Sequence, residues 1–124
     1  MSFQFQQSTG ELRRNGVLLA MGYSGNGAGM NNPAMQDRAN EGPIPQGVYT
    51  IEPAYNDDVV GPVAMNLEPA PGNKMFGRGG FMIHGDDVIE EHRASDGCII
   101  LDRYARDEIG KDALRGENQL MVIA

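Results

Sequence analysis

The chain has 124 residues, of which 40% are hydrophobic, and a formal net charge of −7 at pH 7. A chain of this length suits one folded unit, so we predict a single domain over residues 1–124. The acidic balance argues against nucleic acid as a partner, because nucleic-acid binders concentrate Lys and Arg on one face. No apolar run approaches the roughly 20 residues that span a bilayer, so we expect no membrane insertion.

The amino-terminal region predicts an antiparallel β meander. Phe3 and Phe5 alternate with glutamines, and Asn15-Gly16 stands before the apolar run at residues 17–21, a combination typical of a hairpin. Residues 24–32 are rich in glycine and asparagine and show no periodicity, so we predict a surface loop there.

The central region predicts three further strands. Pro43 and Pro45 favour an extended entry into a strand at residues 48–52. A second β run covers residues 59–67 and is interrupted by Gly61-Pro62, and a short strand covers residues 81–84.

The carboxyl-terminal region predicts one helix and a last strand. Asp102 can cap a helix in which Leu101, Ala105 and Ile109 share one face, and Gly116 lies beyond its end. A final strand is expected at residues 120–123, which makes the fold mainly β with one helix.

The chain's one cysteine and one of its two histidines lie in two neighbouring motifs. Phe81 to Asp86 reads as an apolar strand that delivers His84, and Ser95-Asp96-Gly97-Cys98 reads as a turn that presents a thiol. A free thiol is mostly protonated at neutral pH, so we expect a nearby imidazolium to lower its pKa. Gly97 would let an acyl group approach the main chain, whose N–H groups can bind an oxyanion.

These motifs resemble the L,D-transpeptidase family, whose pattern pairs a strand-end Ile-His-Gly with Ser/Thr-His-Gly-Cys and an apolar residue. The matching residues are His84, Gly85, Ser95, Gly97, Cys98 and Ile99. The likeness extends to residues 22–25, 42–51 and 76–78, as in the small branch of type VI secretion effectors. Asp96 stands where most members carry a second histidine. Ile100 stands where an arginine or asparagine usually follows the cysteine.

The resemblance implies an L,D-transpeptidase-like β-sandwich with one short helix after the nucleophile turn. It implies that Cys98 is the nucleophile and His84 the general base in L,D-carboxypeptidase or L,D-transpeptidase chemistry on tetrapeptide stems of peptidoglycan. Ser95, Gly97, Asp96 and Gly85 would support the site. No metal or organic cofactor is implied. The implied partners are peptidoglycan stem peptides, and further an immunity protein and a secretion apparatus.

The supporting residues keep simpler interpretations beside the functional ones. Ser95 could donate to an oxyanion or only cap its own turn, and Gly97 could be a main-chain requirement. Arg78 could bind a substrate carboxylate with its planar fork or be an ordinary surface arginine. His92, in a charged stretch, is the reserve candidate for the base.

Two other functions remain open at this stage. Asp86, Asp87, Glu90 and Glu91 with the two histidines could hold zinc in a cell-wall hydrolase, although their spacing fits no standard zinc motif. The chain could also be a non-catalytic cell-wall-binding module of a phage or a secretion apparatus. Residues 1–7 lack the basic and apolar regions of a signal peptide, so we expect synthesis in the cytoplasm and another export route to a target periplasm.

Overall fold

The computed structural model describes residues 3–86 and 95–124, and within them the chain forms ten β-strands and one α-helix. The strands are β1 (Phe3–Gln6), β2 (Glu11–Arg14), β3 (Val17–Met21), β4 (Tyr23–Ser24), β5 (Gly47–Ile51), β6 (Tyr55–Asp57), β7 (Gly61–Pro69), β8 (Met82–His84), β9 (Ile99–Ile100) and β10 (Gln119–Ile123). The helix, α1, spans Arg103–Leu114. Single 3₁₀ turns lie at Gly27–Gly29 and Pro33–Met35.

Most of the expected strands are confirmed. β1, β2 and β3 pair antiparallel in chain order, which is the predicted meander. The strands expected at residues 48–52, 81–84 and 120–123 are β5, β8 and β10, with ends that differ by one residue. The loop expected at residues 24–32 begins with the end of β4 and contains a 3₁₀ turn, which is too short to leave a periodic signal.

The β run expected over residues 59–67 starts too early, which corrects that prediction. Val59 and Val60 lie in a turn, and both of their main-chain amides donate to Oδ2 of Asp57. β7 begins after this turn and runs through Pro62 without interruption. A proline is tolerated near the start of a strand, where its missing N–H costs little.

The sheet is curled and nearly closed, and its two edge strands, β3 and β4, are neighbours in the sequence. The strand order is β3-β2-β1-β10-β5-β7-β8-β9-β4, and only Gly22 separates β3 from β4 in sequence. The Gly22 amide donates to the Gly10 carbonyl at 2.7 Å. A Cβ added at Gly22 would lie 2.0 Å from the carbonyl oxygen of Ile100, so this close approach requires glycine. The nearly closed mixed sheet with one helix confirms the mainly β class.

The core lies inside the curled sheet and under α1. Strands β1 and β10 show the alternating burial that a sheet with one covered face requires. The fully buried members of this core include Phe5, Leu12, Ile44, Tyr49, Met65, Ile83, Ile99, Ile109 and Leu120.

The predicted helix is confirmed, with its cap and its buried face. Asp102 Oδ1 accepts a hydrogen bond from the Ala105 amide at 2.8 Å. Leu101, Ala105 and Ile109 are buried, and Gly116 follows the helix in the left-handed conformation with φ of 91°. No helix within the described residues is long and apolar enough to cross a membrane.

Candidate active site

Strands β8 and β9 place His84 and Cys98 on the same face of the sheet. The two strands run parallel, with Ile83 opposite Ile99 and His84 opposite Ile100. Cys98 precedes Ile100 by two residues, so the alternation of side chains puts it on the face of His84. Strand spacing and rise put the Cα atoms of Cys98 and His84 roughly 8 Å apart.

The His84 ring is held in one tautomer. The side chain is buried, and Nδ1 lies 2.8 Å from the carbonyl oxygen of Gly85. Because a carbonyl can only accept, Nδ1 carries the proton and Nε2 keeps its lone pair. Burial lowers the pKa of His84, and the Arg106 guanidinium adds to this. The Gly85 carbonyl and the carboxylates of Asp57 and Asp86 act in the opposite direction. His84 is therefore a neutral base at neutral pH.

The thiol of Cys98 is protonated in the unliganded protein. Burial raises its pKa, and the charge of Asp96 raises it further, while a main-chain hydrogen bond from Met82 acts in the opposite direction. The expectation that an imidazolium lowers this pKa was therefore wrong for the resting state, because His84 is itself buried and neutral.

Ser95 holds together the turn at residues 95–98, which presents Cys98. Its buried hydroxyl accepts hydrogen bonds from the amides of Gly25 at 2.9 Å and Gly97 at 3.0 Å. The same hydroxyl donates to the Cys98 carbonyl at 2.6 Å. Since its proton is used within the turn, the geometry favours the capping interpretation of Ser95.

A loop from the amino-terminal half packs over this turn. Ser24, at the end of β4, donates through its hydroxyl to the Gly97 carbonyl at 2.7 Å and accepts from the Ile44 amide at 2.9 Å. Asn26 Nδ2 donates to the Ser95 carbonyl at 2.8 Å. The position of Cys98 therefore depends on residues that are far from it in sequence.

Gly97 is required by the main chain. Its φ of 134° disfavours other residues, and an added Cβ would lie 2.7 Å from both Arg78 Nη2 and Phe81 Cε1. Asp96 is exposed, and its carboxylate lies 3.5 Å from Asn26 Nδ2. The charge of Asp96 acts on the site by raising the pKa of the Cys98 thiol.

Arg78 joins the turn at residues 95–98 to the loop before β5. Its terminal nitrogens donate to the main-chain carbonyls of Gln36, Pro43, Gly42 and Asp96. These bonds give Arg78 an architectural role. Binding of a substrate carboxylate by this residue stays a prediction.

Arg106 packs against the histidine strand from the helix side. Only 8% of this residue is exposed, and its Nε donates to the Leu101 carbonyl at 3.0 Å. Nη1 donates to the Pro62 carbonyl at 2.7 Å. A Cβ added at Gly85 would lie 2.7 Å from Nη2, so the glycine after His84 makes room for this guanidinium.

A second polar group lies on β6, the strand that pairs with β7 outside the main strand order. Tyr55 donates through its hydroxyl to Asp57 Oδ1 at 2.9 Å. Two main-chain amides and this hydroxyl lower the pKa of Asp57, which is thus ionised at neutral pH. Its charge acts on His84 through space.

His92, the reserve candidate for the base, lies outside the described residues. The candidate zinc ligands Asp87, Glu90 and Glu91 lie outside them as well. In residues 3–86 and 95–124, no group of three or more His, Cys, Asp or Glu side chains could hold a metal ion.

Sequence reasoning missed four residues that position the site, which are Ser24, Asn26, Asp57 and Arg106. Ser24 and Asn26 lie in a segment without periodicity, and only the pairing of β4 with β9 brings them to the turn. Arg106 directly follows Ala105, which lies on the apolar face of α1, so the helical pattern alone predicts an exposed arginine. The one signal in the sequence for a buried Arg106 was its position beside the apolar stripe of the helix.

A mainly β domain with a nearly closed mixed sheet and one helix carries this histidine on β8 and this cysteine directly before the neighbouring strand β9. A family model, the Tlde1 domain, matches residues 19–124. The chain therefore belongs to the Tlde1 domain family, a type VI secretion effector family that is L,D-transpeptidase-like. No curated protein matches the chain.

Proposed function

We propose that this effector domain is a cysteine-dependent peptidoglycan-modifying enzyme. It acts on tetrapeptide stems as an L,D-carboxypeptidase, an L,D-transpeptidase or both. The observation that carries the proposal is the pair on the β8–β9 face, where the Gly85 carbonyl holds the Nδ1 proton of His84 and leaves Nε2 as a base for Cys98. Membership in an effector family supports a cell-wall target outside the producing cell.

In the first half-reaction, the Cys98 sulfur attacks the carbonyl carbon of the third stem residue while His84 Nε2 takes the thiol proton. Main-chain amides at the turn stabilise the oxyanion. The bond from this carbon to the terminal nitrogen then breaks, and His84 returns the proton to the leaving amine. The products are a Cys98 thioester and D-alanine.

In the second half-reaction, water or an amine attacks the thioester carbon and His84 takes its proton. The carbon–sulfur bond breaks, and the proton passes to sulfur. Water yields a tripeptide stem, whereas an amine yields a new amide. These steps need no oxidant, reductant or metal. The proposed partners are stem peptides, the secretion apparatus and an immunity protein.

The test is conversion of purified tetrapeptide muropeptides, read as product masses. Wild type should release D-alanine. Cys98→Ala should show no turnover, and circular dichroism should confirm an unchanged fold. His84→Ala should cost about a hundredfold or more, within the range for a general base, and His92→Ala far less. The opposite ranking of the two histidines would reassign the base.

Chelation separates this proposal from a zinc hydrolase. Activity should persist in EDTA. Loss of activity in EDTA that zinc restores, or turnover by Cys98→Ala, would contradict the cysteine mechanism. Binding to cell wall with no product from wild type would favour the non-catalytic module.

A further inference from the structure

Val63, near the start of β7, has a main-chain conformation that its residue type disfavours. Its φ is 55°, in the left-handed region, which a β-branched residue rarely adopts. The strand register explains the position. Tyr55 pairs with Ala64 and Asp57 pairs with Gly61, so two residues of β7 oppose one residue of β6, which is a β-bulge. Strain of this kind persists only where the surrounding structure holds it, and it concentrates at functional sites.

The bulge presents two consecutive carbonyls to α1, where Arg106 binds both. Nη1 of Arg106 donates to the Pro62 carbonyl at 2.7 Å and to the Val63 carbonyl at 3.3 Å. Nε of the same side chain donates to the carbonyls of Leu101 at 3.0 Å and Asp102 at 3.3 Å. One guanidinium therefore ties the start of β7 to the segment that joins β9 to α1.

Arg106 keeps a positive charge in a buried position. Only 8% of the residue is exposed, and its four side-chain hydrogen bonds to the described residues all end on main-chain carbonyls. Arg103, on the same helix but exposed, instead donates to the Asp107 carboxylate. A buried charge is costly unless it is paired. The strained bulge and the buried guanidinium are therefore two costly features in one contact, which indicates a role beyond packing.

Arg106 meets the histidine strand at Gly85. A Cβ added at Gly85 would lie 2.7 Å from Nη2 and 3.0 Å from Cζ of Arg106, so the guanidinium packs against the main chain of this glycine. The carbonyl oxygen of the same glycine lies 2.8 Å from Nδ1 of His84 and fixes the tautomer of the ring. Gly85 thus contacts the guanidinium and the imidazole at once.

We propose that Arg106 is a positioning residue for His84. Seated by the bulge in β7, its guanidinium holds Gly85 where the Gly85 carbonyl keeps the Nδ1 proton and leaves Nε2 unprotonated. The inference rests on the proposed function, in which Nε2 of His84 is the base for Cys98. Arg106 acts through Gly85 and transfers no proton itself.

The charge of Arg106 adds an electrostatic effect to this contact. Three charged groups act on His84, which are Arg106 from α1, Asp57 from β6 and Asp86 directly after Gly85. The guanidinium disfavours the imidazolium and lowers the His84 pKa, whereas the two carboxylates favour the imidazolium and raise that pKa. Removal of the guanidinium should therefore raise the pKa of His84.

The first test reads the His84 tautomer by nuclear magnetic resonance. The chain has two histidines, so ¹⁵N-histidine labelling gives two imidazole signals, and His92→Ala assigns them. Wild type should show a protonated Nδ1 and an unprotonated Nε2. Arg106→Met keeps an unbranched stem but removes the guanidinium, so it should show mixed tautomers and a raised His84 pKa. Arg103→Met, the same change at an exposed site on the helix, should match wild type.

The second test is the kinetics of tetrapeptide hydrolysis. Arg106→Met should lower kcat about tenfold or more with little change in KM, because a displaced base weakens the chemical step rather than substrate binding. The acidic limb of its pH profile should move to higher pH. A lower unfolding temperature with an unchanged tautomer and an unmoved acidic limb would show a merely structural arginine and overturn the proposal.

Gly85→Ala tests the same contact from the other side and covers the case in which Arg106→Met does not fold. The added methyl group would meet the guanidinium at 2.7 Å, so it should displace the Gly85 carbonyl and give mixed tautomers of His84. An unchanged tautomer in Gly85→Ala would contradict the proposal.

The outcomes separate this inference from the proposed function, since the tautomer is read without substrate. Mixed tautomers in Arg106→Met, with no turnover by wild type, would refute the proposed function and keep the positioning role. Turnover by wild type, with a single unchanged tautomer in Arg106→Met, would refute the positioning role and keep the proposed function.

Discussion

At the scale of single residues, burial keeps both Cys98 and His84 neutral at neutral pH. Burial disfavours the charged form of both groups. It therefore raises the thiol pKa of Cys98 and lowers the imidazole pKa of His84. A neutral thiol resists oxidation and alkylation in the absence of substrate.

The pH dependence of activity follows from the lowered pKa of His84. A general base works when it is unprotonated, so activity should fall with acidification only as the pH passes through that lowered pKa. We expect the acidic limb of kcat/KM below about pH 6.5, the ordinary value for histidine. Asp57→Asn should move this limb to still lower pH, because the Asp57 charge raises the His84 pKa. An acidic limb above pH 6.5 would contradict the assignment.

Ser95 gives a second prediction at this scale. Its hydroxyl satisfies the Gly97 amide of the turn, the Gly25 amide of the loop above it and the Cys98 carbonyl, so Ser95→Ala leaves buried groups unpaired and should lower the free energy of unfolding by roughly 1–3 kcal/mol. Thermal unfolding measures this. The control is Ser8→Ala, since the Ser8 hydroxyl is exposed and its contact to the Ala124 carbonyl is long, at 3.5 Å. Equal stability of the two variants would show that the turn does not depend on Ser95.

At the scale of elements, the site depends on where α1 begins. Asp102 caps the helix two residues after β9, and the Leu101 and Asp102 carbonyls before the first turn accept hydrogen bonds from Arg106. The cap therefore sets the start of the helix that carries this guanidinium to Gly85.

The cap can be tested by stability. Asp102→Ala should cost about 1 kcal/mol, the typical value for loss of an N-cap. Asp107→Ala is the control on the same helix, because its ion pair with Arg103 is exposed and contributes little. Chemical denaturation compares the two, and an equal loss from both would mean that the cap has no special role.

The elements themselves were largely predictable from sequence, for local reasons. The Asp102 cap, the apolar face of α1 and the Asn15-Gly16 hairpin are each encoded within a few residues. β4 and β9, with two residues each, carry no pattern of their own. They form because the curled sheet brings them together.

The candidate site likewise combines residues that local motifs indicate with residues that only the fold brings together. Cys98 and His84 stood out because of their residue types and their motifs. Ser24, Asn26 and Arg106 reach the site through long-range pairing and helix placement, which no local spacing reports. The titration behaviour was also beyond sequence, because it depends on burial.

At the scale of the whole molecule, the sheet links the two termini of the chain to the site. β1 pairs in parallel with β10, and the same sheet continues through β5 and β7 to β8 and β9. Parallel pairing of the first and last strands is a contact of high sequence separation, which local patterns cannot predict. Truncation at either end would remove a strand from the middle of the sheet order.

The proposed biology is a property of the whole molecule in its setting. Because mature peptidoglycan lies outside the cytoplasm, fusion to a secretory signal should make the protein toxic to a Gram-negative host, with swelling or lysis. Expression in the cytoplasm should not. Growth curves and microscopy give the comparison, with Cys98→Ala in the periplasm as the control. Equal toxicity from the cytoplasmic form or from that variant would exclude a cell-wall effector.

The central claim is that Cys98 forms a thioester with the stem peptide. The most direct measurement is intact mass spectrometry of the protein after brief mixing with tetrapeptide muropeptide and acid quenching, followed by peptide mapping. The proposed mechanism predicts an adduct with the mass of the tripeptide acyl group on the peptide that contains Cys98, absent from Cys98→Ala and released by hydroxylamine. Release of D-alanine with no adduct on that peptide under any quenching time would contradict it.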